Sequence, residues 1–176
     1  MDSKKFRKFE LYTYDFSLYT ILIMQKTVVL LKPDALQRGL VGEIVSRLER
    51  KGLKLVGMKM MMASDTLLSE HYAHHKDKPF FNSLKKFMMS APLVVMLWEG
   101  VDSVDVARKM TGATNGRNAD LGSIRGDLSI SQSNNLIHVS DSVESAEVEE
   151  KRFFEKKEVF GWKRLVDEVV YGEDER

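Results

Sequence analysis

Two short apolar runs, residues 26–32 (KTVVLLK) and 91–98 (APLVVMLW), constrain the fold most. Both are rich in β-branched and aliphatic side chains and too short for a typical helix, so they read as buried strands. Pro33 ends the first. Residues 53–62 read as another strand, in which Leu53 and Leu55 alternate and Met58, Met60 and Met62 continue on a shifted register. Val41, Ile44, Val45 and Leu48 recur at helical spacing, one face of a helix that should stop near Gly52. Ser64 or Asp65 can cap a short helix carrying Leu67, Leu68 and Tyr72. Pro79 starts another, with Phe80, Leu84, Phe87 and Met88 on one stripe. Residues 102–110 form an amphipathic helix, 136–139 a very short strand, and 142–154 a helix rich in Glu and Ala. Without the extra helices this order is βαββαβ. It predicts an α+β, ferredoxin-like sandwich with a four-stranded antiparallel sheet and additional helices. Residues 111–133 are rich in Gly, Asn, Asp and Ser and have no sustained period, so they read as a long functional or disordered loop.

Charge and composition narrow the function. Lys and Arg total 27 against 26 Asp and Glu, a net charge of +1, which argues against a nucleic-acid binder held by bulk charge. With no cysteine there is no disulfide framework, thiolate nucleophile or thiolate metal site, which fits a reducing, cytoplasmic location. No apolar run reaches the roughly 18 to 20 residues of a membrane-spanning helix, so a soluble domain is expected. Residues 1–23 mix a basic cluster (Lys4, Lys5, Arg7, Lys8) with aromatics, and Glu10 and Asp15 break any signal-like run. They read as a nonessential extension ahead of a start at Met24, or alternatively as a segment packing on the domain. The expected division is residues 1–23, a domain over 24–154, and a C-terminal segment, 155–176, packed on it or trailing.

The densest chemistry lies around Asn135, His138, Ser140, Asp141 and Ser142. His138 ends a strand just before a helix, where it can be a structural histidine or a phosphoryl acceptor. In the second reading Glu149, eleven positions on, folds back to orient it. Lys32, Arg108 and Arg125 lie on separate elements. They are either surface charges or, if they converge, a clamp for phosphate oxygens, with the Thr114 hydroxyl beside them. Neither a Walker-type glycine loop nor a kinase GxGxxG is present, so side chains must build any phosphate site. His71 and His75 have the spacing of two ligands on one helix face, but Tyr72 stands where HExxH needs Glu, and the reading is against a metal site.

The 135–142 stretch, NLIHVSDS, resembles the active-site signature N-x-x-H-[GA]-S-D-S of nucleoside diphosphate kinases. Residues 27–34 (TVVLLKPD), His71-Tyr72, residues 76–81 (KDKPFF), Trp98-Glu99-Gly100, residues 112–115 (GATN) and 124–127 (IRGD) match that family in order and spacing. The resemblance implies a transferase that moves the terminal phosphate of ATP and other nucleoside triphosphates to nucleoside diphosphates, by ping-pong through a phosphohistidine at His138. It implies that Glu149 holds the imidazole with support from Ser140, and that Tyr72 sits beside it. By the same resemblance Lys32 and Asn135 contact ribose, Lys32 also phosphate, and Arg108, Thr114 and Arg125 the phosphates. Phe80 stacks on the base beside Leu84. The implied cofactor is Mg²⁺, held mainly by nucleotide phosphates, with no confident protein ligand. The implied assembly is a homo-oligomer, hexamer favoured over tetramer or dimer, with neither a membrane nor a specific nucleic acid as partner. The chain departs from the pattern at Val139, where Gly or Ala is usual and a β-branched side chain can crowd the site, and at Gln132, where an apolar residue is common. Gly116 and Leu121 stand where prolines are usual, which predicts a more flexible long loop.

Overall fold

The computed structural model describes residues 24–173, and the reading of residues 1–23 lies outside the described residues. Strand β1 (Met24–Leu31) leads through a short helix, α1 (Pro33–Gln37), into α2 (Val41–Arg50) and strand β2 (Lys54–Met61). Helices α3 (Asp65–His71) and α4 (Phe81–Met88) precede β3 (Leu93–Val101) and α5 (Ser103–Thr111). The chain then forms α6 (Ile124–Leu128), β4 (Ile137–Val139), α7 (Val143–Phe153) and α8 (Asp167–Val170). The strands form one antiparallel sheet ordered β2-β3-β1-β4, the expected ferredoxin-like arrangement with extra helices.

The continuous apolar character of β1 has a plain cause. Val29 and Leu31 face a core built with Ile44 and Leu48 of α2, Ala107 of α5 and Trp98, whereas Val28 and Leu30 face one built with Leu68, Met88 and Phe153 of α3, α4 and α7. Both faces of the sheet are covered, so alternation vanishes from the central strands. Tail residues cover part of the free edge of β2. Phe160 N–H donates to the Val56 carbonyl, Trp162 Nε1 to that of Leu55, and Arg164 to those of Gly52 and Leu53. Met58, Met60 and Met62, farther along, stay exposed. Among the described residues no helix is long and apolar enough to cross a membrane.

Three expectations need correction. Pro79 does not open α4, which starts two residues later at Phe81. Residues 111–133 are not a structureless loop but contain a 3-10 turn, Gly116–Asn118, and α6, capped by the Ser123 hydroxyl on Gly126 N–H. Gly116 does not mark a loose point. It is buried, its N–H bonds the Ser131 carbonyl at 3.2 Å, and a Cβ there would meet the Ser129 carbonyl oxygen at 2.2 Å. Glycine here permits close backbone approach. We therefore expect Gly116→Ala to lower unfolding free energy by about 1–3 kcal/mol through overpacking, read from urea denaturation midpoints. An unchanged midpoint would show that the loop yields.

Candidate active site

Strand β4 decides where His138 points. Ile137 and Val139 enter the core beneath α2 and α5, so His138 between them faces the opposite layer, toward α3 and α7. Val139 lies in the ladder opposite Val29 and packs into that core, yet it also lines the cleft beside His138, so a β-branched side chain does border the site. Glu149 is on the inner face of α7, two turns beyond its N-cap, Ser142. His138 Nε2 and Glu149 Oε1 lie 2.9 Å apart, and the Ser140 hydroxyl donates to Glu149 Oε2 at 2.5 Å. Ser140 Oγ in turn accepts the Val28 N–H at 3.0 Å, so β1 anchors the chain of bonds. Burial of Glu149 opposes ionisation, but the hydrogen bonds from His138 and the Ser140 hydroxyl work against it, and the carboxyl is held below its usual range. A carboxylate only accepts, so Nε2 carries the ring proton and Nδ1 keeps its lone pair.

The His138 ring lines a cleft of about 540 Å³ whose residues include Lys32, Tyr72, Phe80, Leu84, Arg108, Thr114, Arg125 and Asn135. The structure thus brings together every candidate residue except Glu149 and Ser140, which stand behind the histidine. Lys32 caps α1 and donates to Asn135 Oδ1 at 2.6 Å. Burial, then the nearby Arg125 charge, pushes its ammonium down to about 8. Arg125, in the first turn of α6, spends three donors on the carbonyls of Asn135, Gly112 and Ile137. Two of its five N–H groups are left to face the cleft. Arg108 pairs with Asp141. Asn135 gives both amide protons to the Thr114 and Gln132 carbonyls, so it can meet a ribose hydroxyl only as an acceptor. Phe80 is half exposed at the rim, with the His75 ring 5.3 Å away. Tyr72 is buried against His71 and His138, and burial, then the Glu149 charge, raises its hydroxyl pKa, so it stays a neutral donor.

Sequence reasoning missed two features. Asp34 is buried, and its Oδ2 accepts Leu136 N–H at 3.0 Å, while Lys32 N–H donates to the Leu136 carbonyl at 2.8 Å. Leu136 has φ 70°, and an Ile137 N–H to Asn135 carbonyl bond closes a γ-turn around it, the rare and strained kind. No glycine signals that turn. The acidic residue of the Lys-Pro-Asp motif was its only trace. The second feature is His71, whose buried ring packs edge-on against His138 with its Nδ1 3.7 Å from Glu149 Oε1. Helix α3 ends at His71, so His75 turns away and stacks near Tyr72 instead.

Comparison with known proteins agrees with this geometry. The family model of nucleoside diphosphate kinase matches residues 25–159. The chain is 53% identical over 152 residues to a nucleoside diphosphate kinase of Parabacteroides distasonis, covering 86% of this chain and 99% of that protein. It is 49% identical to one from Pyrococcus abyssi, over 81% and 92% of the two chains. The fold is similar to the structure of a halophilic nucleoside diphosphate kinase from Halobacterium salinarum in complex with CDP. There the TM-score is 0.82 at 45% identity, over 84% of this chain and 99% of that one.

The γ-turn makes Asp34 testable. In Asp34→Ala the buried Leu136 N–H loses its acceptor, at a cost of about 1–3 kcal/mol. The strained turn that carries Asn135 and His138 is then free to relax. We expect kcat/KM for phosphoryl transfer to fall about tenfold or more, and Asp34→Asn, which keeps an acceptor oxygen, to retain most of it. Equal losses in the two variants would exclude this role.

Proposed function

Because the chain belongs to the nucleoside diphosphate kinase family, and is by that membership a nucleoside-diphosphate kinase acting on nucleotides, we propose that His138 carries the phosphoryl group between donor and acceptor. What supports this most is that the Nε2 bond to Glu149 leaves Nδ1 without a proton, on a histidine that lines a cleft with three cations. Nδ1 attacks the terminal phosphorus, the N–P bond forms, the bond to the bridging oxygen breaks, and the nucleoside diphosphate leaves with the electron pair. The second nucleoside diphosphate reverses the step, which gives ping-pong kinetics.

Phosphoryl transfer asks the protein for positioning and charge stabilisation. In this reading Arg108, Arg125 and Thr114 bind the phosphates, and Lys32 meets phosphate and ribose. Asn135 accepts from a ribose hydroxyl, Phe80 and Leu84 flank the base, and Tyr72, Ser140 and Glu149 hold the histidine. Stacking on a π-face rather than edge recognition suits a site that accepts every base. The family generally uses a divalent metal, and we take Mg²⁺ as the one used here. Among the described residues Asp141 is the one carboxylate lining the cleft and already pairs with Arg108, so the donor set suits a cation held mainly by nucleotide phosphates. When bound, Mg²⁺ neutralises charge on those oxygens.

A homo-oligomer, with a hexamer favoured over a tetramer or dimer, belongs to the same reading. Its support is the exposed Met58 and Met60 on an edge strand, with Met62 just past its end, more apolar surface than a lone edge suits. We take the cytoplasm, where nucleotides are exchanged, as the location.

Incubation with γ-labelled ATP tests the carrier. The chain should take up an acid-labile, base-stable label that His138→Ala lacks, while that variant still binds nucleotide. A label on His138→Ala, or none on the parent, would reject it. Lys32 sets a second expectation. Its ammonium is charged below about pH 8 and neutral above, so kcat/KM should fall as pH rises through that value. Lys32→Met should lose that alkaline limb, and a parent profile flat from pH 7 to 9 would remove Lys32 from phosphate binding.

A further inference from the structure

Behind the cleft, His71, His138 and Glu149 place one donor atom each within 4.8 Å of one another. The spacings to Glu149 Oε1 are 2.9 Å from His138 Nε2 and 3.7 Å from His71 Nδ1. Neither ring nitrogen of His71 has a hydrogen-bond partner, although the residue is only 5% exposed. An orphaned buried imidazole is costly and calls for an explanation. Two imidazole nitrogens and one carboxylate oxygen are the ligand set of catalytic zinc sites, with the fourth position left to water. Four-coordinate zinc with ligands at roughly 2.0–2.1 Å needs them roughly 3.3–3.5 Å apart. The two spacings to Oε1 straddle that range, one short and one slightly long, and the two imidazoles, within 4.8 Å of each other, would close on a bound cation by small ring rotations. The carboxylate is already oriented through its other oxygen by Ser140, the outer-shell support that such ligands use. The opening is His138 itself, whose ring is part-exposed in the cleft wall.

We propose that His71, His138 and Glu149 form an inhibitory site for a late first-row divalent cation, Zn²⁺ above all. This rests on His138 being the nucleophile. Reaction at Nδ1 requires the ring proton on Nε2. A cation bound at Nε2 displaces that proton, and in the neutral ring it moves to Nδ1. The lone pair that attacks phosphorus is lost, and the enzyme is switched off with its nucleotide contacts intact. Mg²⁺ prefers oxygen ligands and octahedral geometry, so the cation needed for catalysis does not compete well here.

Zinc binding is measured on the full chain without nucleotide, by competition with a chromophoric chelator, and phosphohistidine formation from Mg-ATP is then followed at buffered free Zn²⁺. The parent should bind one Zn²⁺ per chain and lose labelling as that site fills, and a chelator should restore it. Excess Mg²⁺ should not. His71→Gln should bind at least about tenfold more weakly, with the inhibition curve shifted by the same factor, because one of three ligands is gone. The chain has four histidines, so a variant with His74→Ala and His75→Ala tests the other two by metal binding alone and should still bind one Zn²⁺ with the affinity of the parent. Unaltered inhibition of His71→Gln, or zinc lost with His74 and His75, overturns the proposal. If His71→Gln does not fold, Co²⁺ on the parent decides. Strong visible absorption from a four-coordinate site supports the assignment, and the faint spectrum of six-coordinate cobalt overturns it. Binding is read without nucleotide, so failure of the site and failure of His138 as carrier are distinguishable.

Discussion

The bond between His138 Nε2 and Glu149 Oε1 decides which nitrogen of the ring is free to react, and much of the fold is arranged to keep it. Glu149 must be ionised to act as the acceptor, yet it sits where burial favours the neutral acid. The Ser140 hydroxyl and the histidine proton together overcome that preference, and Ser140 is held by the backbone of β1. The tautomer of one imidazole therefore depends on the register of β1 against β4, with Leu30 opposite His138. Sliding that pairing by one residue would turn His138 into the opposite core and Ile137 or Val139 toward the cleft.

The phosphate side of the cleft follows a different logic. Lys32 and Arg125 are buried, and burial is the largest influence depressing the pKa of each. Backbone carbonyls and an amide oxygen make the direct bonds, three carbonyls to Arg125 and Asn135 to Lys32, while the nearby charges of Asp141 and Asp34 pull the two pKa values part of the way back. Neutral acceptors orient a cation without cancelling it. Arg108, more exposed, is the one that takes a carboxylate, Asp141. A polyanion entering the cleft meets two cations bonded directly only to neutral acceptors and a third, Arg108, that must exchange its carboxylate partner.

Much of the sandwich was legible because its central strands are apolar on both faces and α2 shows a clean stripe of Val41, Ile44, Val45 and Leu48. The reach of Glu149 to His138 was one of two open readings of the residues, and the family resemblance chose between them. Helix α6 was not legible. It has five residues, too few for a period to show, and its start rests on a single hydroxyl, that of Ser123. The turn at Leu136 was hidden because left-handed backbone is normally announced by Gly or Asn, and here Asp34, far away in the chain, enforces it on a leucine. Gly116 misled for a related reason. Its role is to let the Ser129 carbonyl approach, a contact between segments that no local propensity encodes.

These hidden features share a location. The strained Leu136, the close approaches at Gly116 and the buried guanidinium of Arg125 all belong to the segment between α5 and β4 or the turn it meets. Left-handed backbone at a non-glycine residue costs on the order of 1–3 kcal/mol, and burying an ill-compensated cation adds to it. Such costs persist only where surrounding structure over-determines the conformation. Here Leu136 is fully buried and both of its backbone groups are bonded to the turn that follows β1. That turn also carries Lys32. Leu136 thus ties Lys32 just past β1, the neighbouring Asn135 that receives it and His138 into a single rigid unit. A looser, unstrained connection would leave each of these groups free to move, and positioning is what phosphoryl transfer chiefly requires of a protein.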